Sequence, residues 1–187
     1  MRVIGGTAKG HRLRTLRGQR LRPTADRVKE SLFNILPRDL SGLRVLDLFA
    51  GSGSLSAEAL SRGAGEVVLI DYSPRAGKAI ESNLRALGFS RRSRIKVSPV
   101  PRAIRYLSSR NEKFDLVFVD PPYEKGWVQR ILKLIGDGGL LQNSGTLVVE
   151  HSGKEQVQEG CGPLRLRDQR RYGGTCLSFY GMDSPSQ

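Results

Sequence analysis

Apolar residues gather in short, dense runs at Arg44 to Phe49, Val67 to Ile70, Phe114 to Val119 and Thr146 to Glu150. Runs this rich in Val, Leu, Ile and Phe read as strands buried on both faces, the pattern of a parallel sheet. A shorter run, Ile95 to Ser98, predicts one more strand between the second and third of these. Between the runs the period changes to that of a helix: Ala76, Ile80, Leu84 and Leu87 share one face, as do Val128, Ile131, Leu132 and Ile135. After Gly162, Leu164 to Arg170 and Thr175 to Tyr180 flank Tyr172-Gly173-Gly174 and predict a hairpin. Strands alternating with helices and closing in a hairpin predict an α/β, Rossmann-like fold of seven strands, mostly parallel, with an antiparallel C-terminal hairpin.

The chain has 187 residues, 38% of them hydrophobic, enough for one α/β core and too few for two. Ahead of that core lies a different pattern. Arg2-Val3-Ile4-Gly5-Gly6 and Arg12-Leu13-Arg14-Thr15-Leu16 can pair as short strands, and Val28, Leu32, Ile35 and Leu36 form an apolar stripe on a helix starting near Thr24. The expected organisation is a basic arm over 1–38 packed on a core over 39–181, with a frayed polar end from Met182 to Gln187.

Charge sharpens this division. The net charge is +13, and residues 1–38 alone hold ten Lys or Arg against two acids. A basic arm before a catalytic core is an electrostatic footprint for phosphate backbones, and its arginines favour bidentate phosphate contacts. Arg12, Arg14 and Arg17 are the expected phosphate contacts; Arg22, Pro23, Thr24 and Arg27 form a helix entrance expected to stand as a fixed wall beside the bound nucleic acid. The competing reading is a solvated tail.

The candidate chemistry sits at the ends of the predicted strands, where open α/β sheets bind ligands. Asp47-Leu48-Phe49-Ala50-Gly51-Ser52-Gly53 carries the first strand through a glycine turn into a helix opening near Leu55. Gly51 and Gly53 allow close backbone approach, and Ser56 stands where a dinucleotide fingerprint has its third glycine, so the turn suits a nucleoside more than NAD. Asp71, followed by Tyr72, ends the second long run, placed either to accept hydrogen bonds from ribose hydroxyls or to serve as an ordinary helix N-terminal carboxylate.

Asp120-Pro121-Pro122-Tyr123 ends the run at Val119. Two prolines stiffen the turn and donate no backbone hydrogen bonds. A carboxylate, a proline carbonyl and an aromatic ring suit a flat heterocycle with an exocyclic amine, which the acceptors bind and the ring stacks upon. The four residues resemble the (D/N/S)-P-P-(Y/F) signature of enzymes that methylate exocyclic base amines with S-adenosylmethionine.

Over about residues 2 to 180 the resemblance becomes specific. Arg2-Val3-Ile4-Gly5-Gly6, Leu21 to Glu30 with Phe33-Asn34 after it, D-L-F-A-G-S-G and D-P-P-Y are together similar to the bacterial 16S rRNA (guanine-N2)-methyltransferases, the RsmD-like family. That resemblance implies a class I methyltransferase fold, S-adenosyl-L-methionine as cofactor, and 16S rRNA or an assembling or assembled small ribosomal subunit as partner. It places Asp47, Phe49, Ala50, Gly51, Ser52, Gly53, Asp71 and Tyr72 at the cofactor, and Asp120, Pro121, Pro122 and Tyr123 at the base. One stretch departs from the family: Pro99-Val100-Pro101-Arg102 replaces the usual Asp or Asn beside the adenine. Two rivals remain open, a DNA adenine-N6 methyltransferase and a non-catalytic RNA-binding protein on the same fold.

Other signals are weaker. Cys161 and Cys176 lack C-x-x-C spacing and read as idle thiols, and His11 and His151 are too dispersed for a metal site. Trp127 reads as a packing residue, with a base platform as the alternative. With no leader-like opening and no long apolar run, a soluble, cytoplasmic monomer with no membrane contact is expected.

Overall fold

A computed structural model describes residues 1–15 and 23–183, the side chains of 23–25 excepted. The chain falls into two compact units, Met1–Pro99 and Val100–Gln187.

The first unit opens with an antiparallel bridge between Arg2 and Arg12, flanked by Val3 N–H donating to the His11 carbonyl at 3.0 Å. Among the described residues the two N-terminal segments thus meet through a single bridge, not as full strands; Leu16 lies outside them. Helix α1 (Pro23–Ile35) follows, its proline in the first position, where the missing N–H costs no intrahelical bond. Val28, Leu32 and Leu36 are buried, but Ile35 is 42% exposed and Phe33 is fully buried in its place. At 100° per residue the buried Val28, Leu32, Leu36 and Phe33 span about 140° of the helix, and Ile35 lies about 20° beyond the Val28 edge of that arc.

Then come β1 (Arg44–Leu48), α2 (Ser54–Ser61), β2 (Glu66–Asp71), α3 (Pro74–Ala86) and β3 (Ser93–Val97), with the strands parallel in the order β3-β2-β1. Strand β3 starts two residues before the expected Ile95. The register pairs Leu48 with Ile70 and Asp71 with Val97, so the carboxyl ends of β1 and β2 finish side by side.

The second unit contains α4 (Val100–Ser109), β4 (Phe114–Val119), α5 (Trp127–Gly138), β5 (Leu141–Ser152), β6 (Gly160–Cys161), β7 (Leu164–Tyr172) and β8 (Thr175–Met182). Its strand order is β4-β5-β8-β7-β6, parallel between β4 and β5 and antiparallel from there on. The stretch Pro99 to Arg102 is explained by α4: Pro101 lies in its first turn, again where no N–H is needed. Helix α5 buries Val128, Ile131, Leu132 and Ile135 and stops at Gly139, whose φ of 58° is left-handed.

The α/β class with a parallel sheet and an antiparallel finish holds. Among the described residues there are eight strands, one more than expected, because the two-residue β6 pairs with the start of β7. Strand β5 also begins earlier than Thr146, through the exposed polar residues Gln142 to Ser144, which no apolar alternation marks. Met182 closes β8, and Asp183 N–H donates to the Pro163 carbonyl at 2.7 Å, so the end expected to fray from Met182 is ordered through Asp183.

Candidate active site

The turn after β1 is built from left-handed backbone. Phe49, Gly51 and Gly53 have φ of 67°, 56° and 76°. For the two glycines this carries no Cβ penalty; for Phe49 it is strain, the kind that persists where neighbours over-determine the chain. Those neighbours are identifiable. Ala50 N–H donates to the Ile70 carbonyl at 2.9 Å, and Gly51 N–H donates to Asp71 Oδ2 at 2.9 Å. Asp71 Oδ1 accepts from Ser73 N–H at 2.8 Å, so one carboxylate ties the turn to the entrance of α3, where Ser73 is the N-cap. Each oxygen has a second lone pair, which leaves acceptor capacity for ribose hydroxyls.

Asp47 is buried, and Ser56 Oγ donates to its Oδ2 at 2.6 Å. Burial pushes its carboxyl up to about 7, against the lowering by Ser56. Ser56, which in the sequence counts only as a missing glycine, is therefore the partner of the aspartate that opens the motif. Ala50 and Ser52 are buried in the turn, Phe49 is half-buried, and Tyr72 projects outward at 72% exposure.

Three buried polar residues that no sequence motif marks tie this turn, or the helix α2 that it opens, to the N-terminal arm. Asn83, on α3, accepts from Arg14 N–H at 2.8 Å and donates from Nδ2 to the carbonyls of Arg14 at 3.0 Å and Ser52 at 2.9 Å. Lys29, on α1, donates to Ser54 Oγ at 3.1 Å and to the Arg2 carbonyl. Its ammonium is held below the usual lysine range by burial, partly offset by Glu58 at 3.9 Å. Glu58, fully buried on α2, accepts from the N–H groups of Ile4 and Gly5 at 2.7 and 2.8 Å and from Arg62 Nε at 2.9 Å. Beside them Gly6 has φ +72° and lies so near α2 that a Cβ would stand 1.8 Å from the Ser61 carbonyl oxygen, so the Gly5-Gly6 motif is a close-packing requirement. A legible signal existed for Asn83: a polar residue on the apolar face of Ala76, Ile80 and Leu84.

Of the expected RNA contacts, the Arg12, Arg14 and Arg27 side chains are exposed. Pro23 and Thr24 form the start of α1, and Arg17 and Arg22 lie outside the described residues.

In the second unit, Asp120 leaves β4 on the surface, Pro121 is buried and Pro122 exposed. Tyr123 is half-buried; its hydroxyl donates to Glu150 Oε1, near the end of β5, at 2.7 Å and lies 3.3 Å from Thr175 Oγ1, at the start of β8. Burial, reinforced by the Glu150 charge, lifts the Tyr123 hydroxyl above the usual tyrosine range, and burial also raises Glu150, so the phenol keeps its proton. Glu124, with φ 58°, accepts from Ser152 Oγ at 3.1 Å. Trp127 starts α5 with the Arg130 guanidinium 5.2 Å over its ring. His151 is buried, with Nδ1 2.9 Å from the Ser152 carbonyl and Nε2 2.8 Å from Ser178 Oγ. Cys161 and Cys176 are free thiols. Among the described residues no group of His, Cys, Asp and Glu could hold a metal ion, and no helix is long and apolar enough to cross a membrane.

Comparison with known proteins shows which family the chain resembles along its length. The family model described as conserved hypothetical protein 95 matches residues 1–181. The Bacillus subtilis (strain 168) protein YlbH is 37% identical over 180 residues, covering 96% of this chain and 98% of its own length. Ribosomal RNA small subunit methyltransferase D of Escherichia coli (strain K12) is 36% identical over 150 residues, covering 80% of this chain and 74% of that protein. The solved structure of the Escherichia coli protein yhhF superposes with a TM-score of 0.85 at 30% identity, covering 99% of both chains.

Proposed function

Because this chain belongs to the conserved hypothetical protein 95 family and is a class I S-adenosylmethionine-dependent methyltransferase, we propose that it methylates the exocyclic N2 amine of one guanine in 16S rRNA, within an assembling or assembled small ribosomal subunit. The observation that carries this reading is the presence, in one chain similar over most of its length to a named rRNA methyltransferase, of a braced, carboxylate-lined glycine turn and of a surface Asp-Pro-Pro-Tyr loop.

The donor set of the turn fits a nucleoside. Asp71 offers acceptors at the carboxyl end of β2, and the turn's left-handed backbone allows close approach without a side chain at Gly51 or Gly53. S-adenosylmethionine, once bound, supplies an electrophilic sulfonium methyl group. The chain's own contribution is placement. The guanine N2 lone pair is delocalised into the ring, so the amine is a poor nucleophile, and alignment can be worth roughly 7–11 kcal/mol in favourable cases. Asp120 and the Pro121 carbonyl accept the two amine hydrogens and favour a pyramidal nitrogen. Asp120 then accepts or relays the proton as positive charge develops on that nitrogen. Tyr123 stacks on the base after it has left its neighbours. Arg12, Arg14 and Arg17 contact phosphates, and Arg22, Pro23, Thr24 and Arg27 belong to the same RNA-binding arm.

Incubation with labelled S-adenosylmethionine and unmodified 16S rRNA, partly assembled small subunits or duplex DNA tests the proposal. Label in either RNA substrate is the expected result. Label in DNA alone assigns the chain to adenine methylation, and label in none of the three sinks the enzymatic reading.

A further inference from the structure

The loop that carries Asp120 to Tyr123 is mostly surface: Asp120, Pro122, Glu124, Lys125 and Gly126 are all exposed. Two of the side-chain contacts that hold it reach the carboxyl end of β5. Glu124 takes the hydroxyl of Ser152, and Tyr123 gives its hydroxyl to Glu150. Thr175 completes the second contact from the neighbouring strand, where the register sets it opposite Ser152. A phenol on an exposed loop samples several rotamers when nothing holds its far end. Here the far end donates to a carboxylate that lies between the buried residues Val149 and His151. A hydrogen bond to such a group is among the stronger ones.

We propose that Glu150, assisted by Thr175, is a positioning residue for methyl transfer: it fixes the Tyr123 ring at one angle, so that the target base meets a preset stacking face. This rests on the reading of Asp120 to Tyr123 as the base-binding loop. The Tyr123 hydroxyl takes no part in the chemistry, because its proton is committed to Glu150. Its role is to orient the ring that carries it, and Glu150 acts only through that ring.

The test compares Tyr123→Phe, Glu150→Ala, Glu150→Gln and the Tyr123→Phe/Glu150→Ala double variant, with kcat and KM measured on whichever of the three nucleic acids the parent methylates. S-adenosylmethionine affinity is measured alongside by calorimetry. Tyr123→Phe and Glu150→Ala should each lower kcat about tenfold, the scale of one hydrogen bond to a charged group, and the double variant should lose no more than either. Glu150→Gln, whose carbonyl still accepts from the phenol, should recover to within about threefold of the parent. Cofactor affinity should not move in any of them. Losses that multiply in the double variant, or Glu150→Ala at the parent kcat, would overturn the proposal. If Glu150→Ala does not fold, Tyr123→Phe at the parent kcat overturns it alone. Asp120→Ala in the same assay separates the two levels of argument. Full activity there removes the loop from the active site altogether, whereas an inactive Asp120→Ala beside an unaffected Tyr123→Phe removes only the anchor. A parent that methylates none of the three overturns both.

Discussion

The turn after β1 and the loop after β4 follow the same kind of element, a buried parallel strand, yet they are held in opposite ways. The turn is gripped by side chains from elsewhere in its unit: Asp71 on Gly51, Asn83 on Ser52, Lys29 on Ser54 and the Asp47–Ser56 pair. The loop stands on the surface, stiffened by two prolines and tied down through Tyr123 and Glu124. The difference matches the size of what each is proposed to receive. A small nucleoside cofactor gains most from a cradle whose ordering cost is met before binding. A base delivered by a large RNA needs a stiff, accessible edge onto which it can be turned out of its stack.

Loss of the anchor between the arm and α2, the helix that the turn opens, should have the largest effect. Glu58→Ala leaves Arg62 and two backbone N–H groups without their buried acceptor and Lys29 without its counter-charge. It should cost about 3–5 kcal/mol of folding stability, read from urea unfolding. A loss below about 1 kcal/mol would mean the arm is not anchored through α2.

Next is Asp120→Ala, expected to lower turnover about 10²–10³-fold while S-adenosylmethionine affinity stays at the parent value. Single-turnover rates and calorimetry on the same preparation read both halves of that statement. Turnover at the parent rate would take Asp120 out of the mechanism.

Asp71→Ala should show the reverse pattern, weakening cofactor binding by about 1.5–3 kcal/mol. Since the same carboxylate braces Gly51 and Ser73, a small stability loss should accompany it. Unchanged affinity would exclude the ribose role.

Asp47 gives a pH signature rather than a change at one pH. Its folded-state carboxyl is raised from 3.8 to about 7, so the folded chain holds a proton that the unfolded chain releases. Its contribution to stability is full below about pH 4 and is lost as pH rises to about 7, at up to roughly 1.4 kcal/mol per pH unit. Asp47→Asn should flatten that slope in denaturant titrations between pH 4 and 7; an unaltered slope would place the proton elsewhere.

Smallest is the arm. Charge reversal at Arg12, Arg14 and Arg17 should raise the RNA half-saturation point and lower the log–log salt slope by roughly 0.7–0.9 per lost phosphate contact, with the cofactor affinity unchanged. Equal slopes for parent and variant would make the arm a solvated surface.

The same contrast governs what the sequence discloses. The strands, the glycine turn and the Asp-Pro-Pro-Tyr loop were legible because apolar density and backbone-restricting residues act locally. The grip on the turn was not. Lys29, Glu58 and Asn83 act across 25 to 69 positions of sequence, and a buried polar side chain looks like any surface one until its partner is located. Ser56 and Glu150 were passed over for the same reason, each being named by a partner on another element. Ile35 and Phe33 exchanged places because a helix stripe is centred by packing, and periodicity alone fixes its phase only to within about a residue.

The central claim, methylation of a guanine amine in small-subunit RNA, is tested most directly by digesting 16S rRNA treated with the parent protein and labelled S-adenosylmethionine to nucleosides and identifying the labelled one by mass spectrometry. N2-methylguanosine at one position, absent after treatment with Asp120→Ala, is the expected result; label on the N6 amine of adenine, on a ring carbon, or spread over many guanines would rule out a guanine-N2 methyltransferase of this kind.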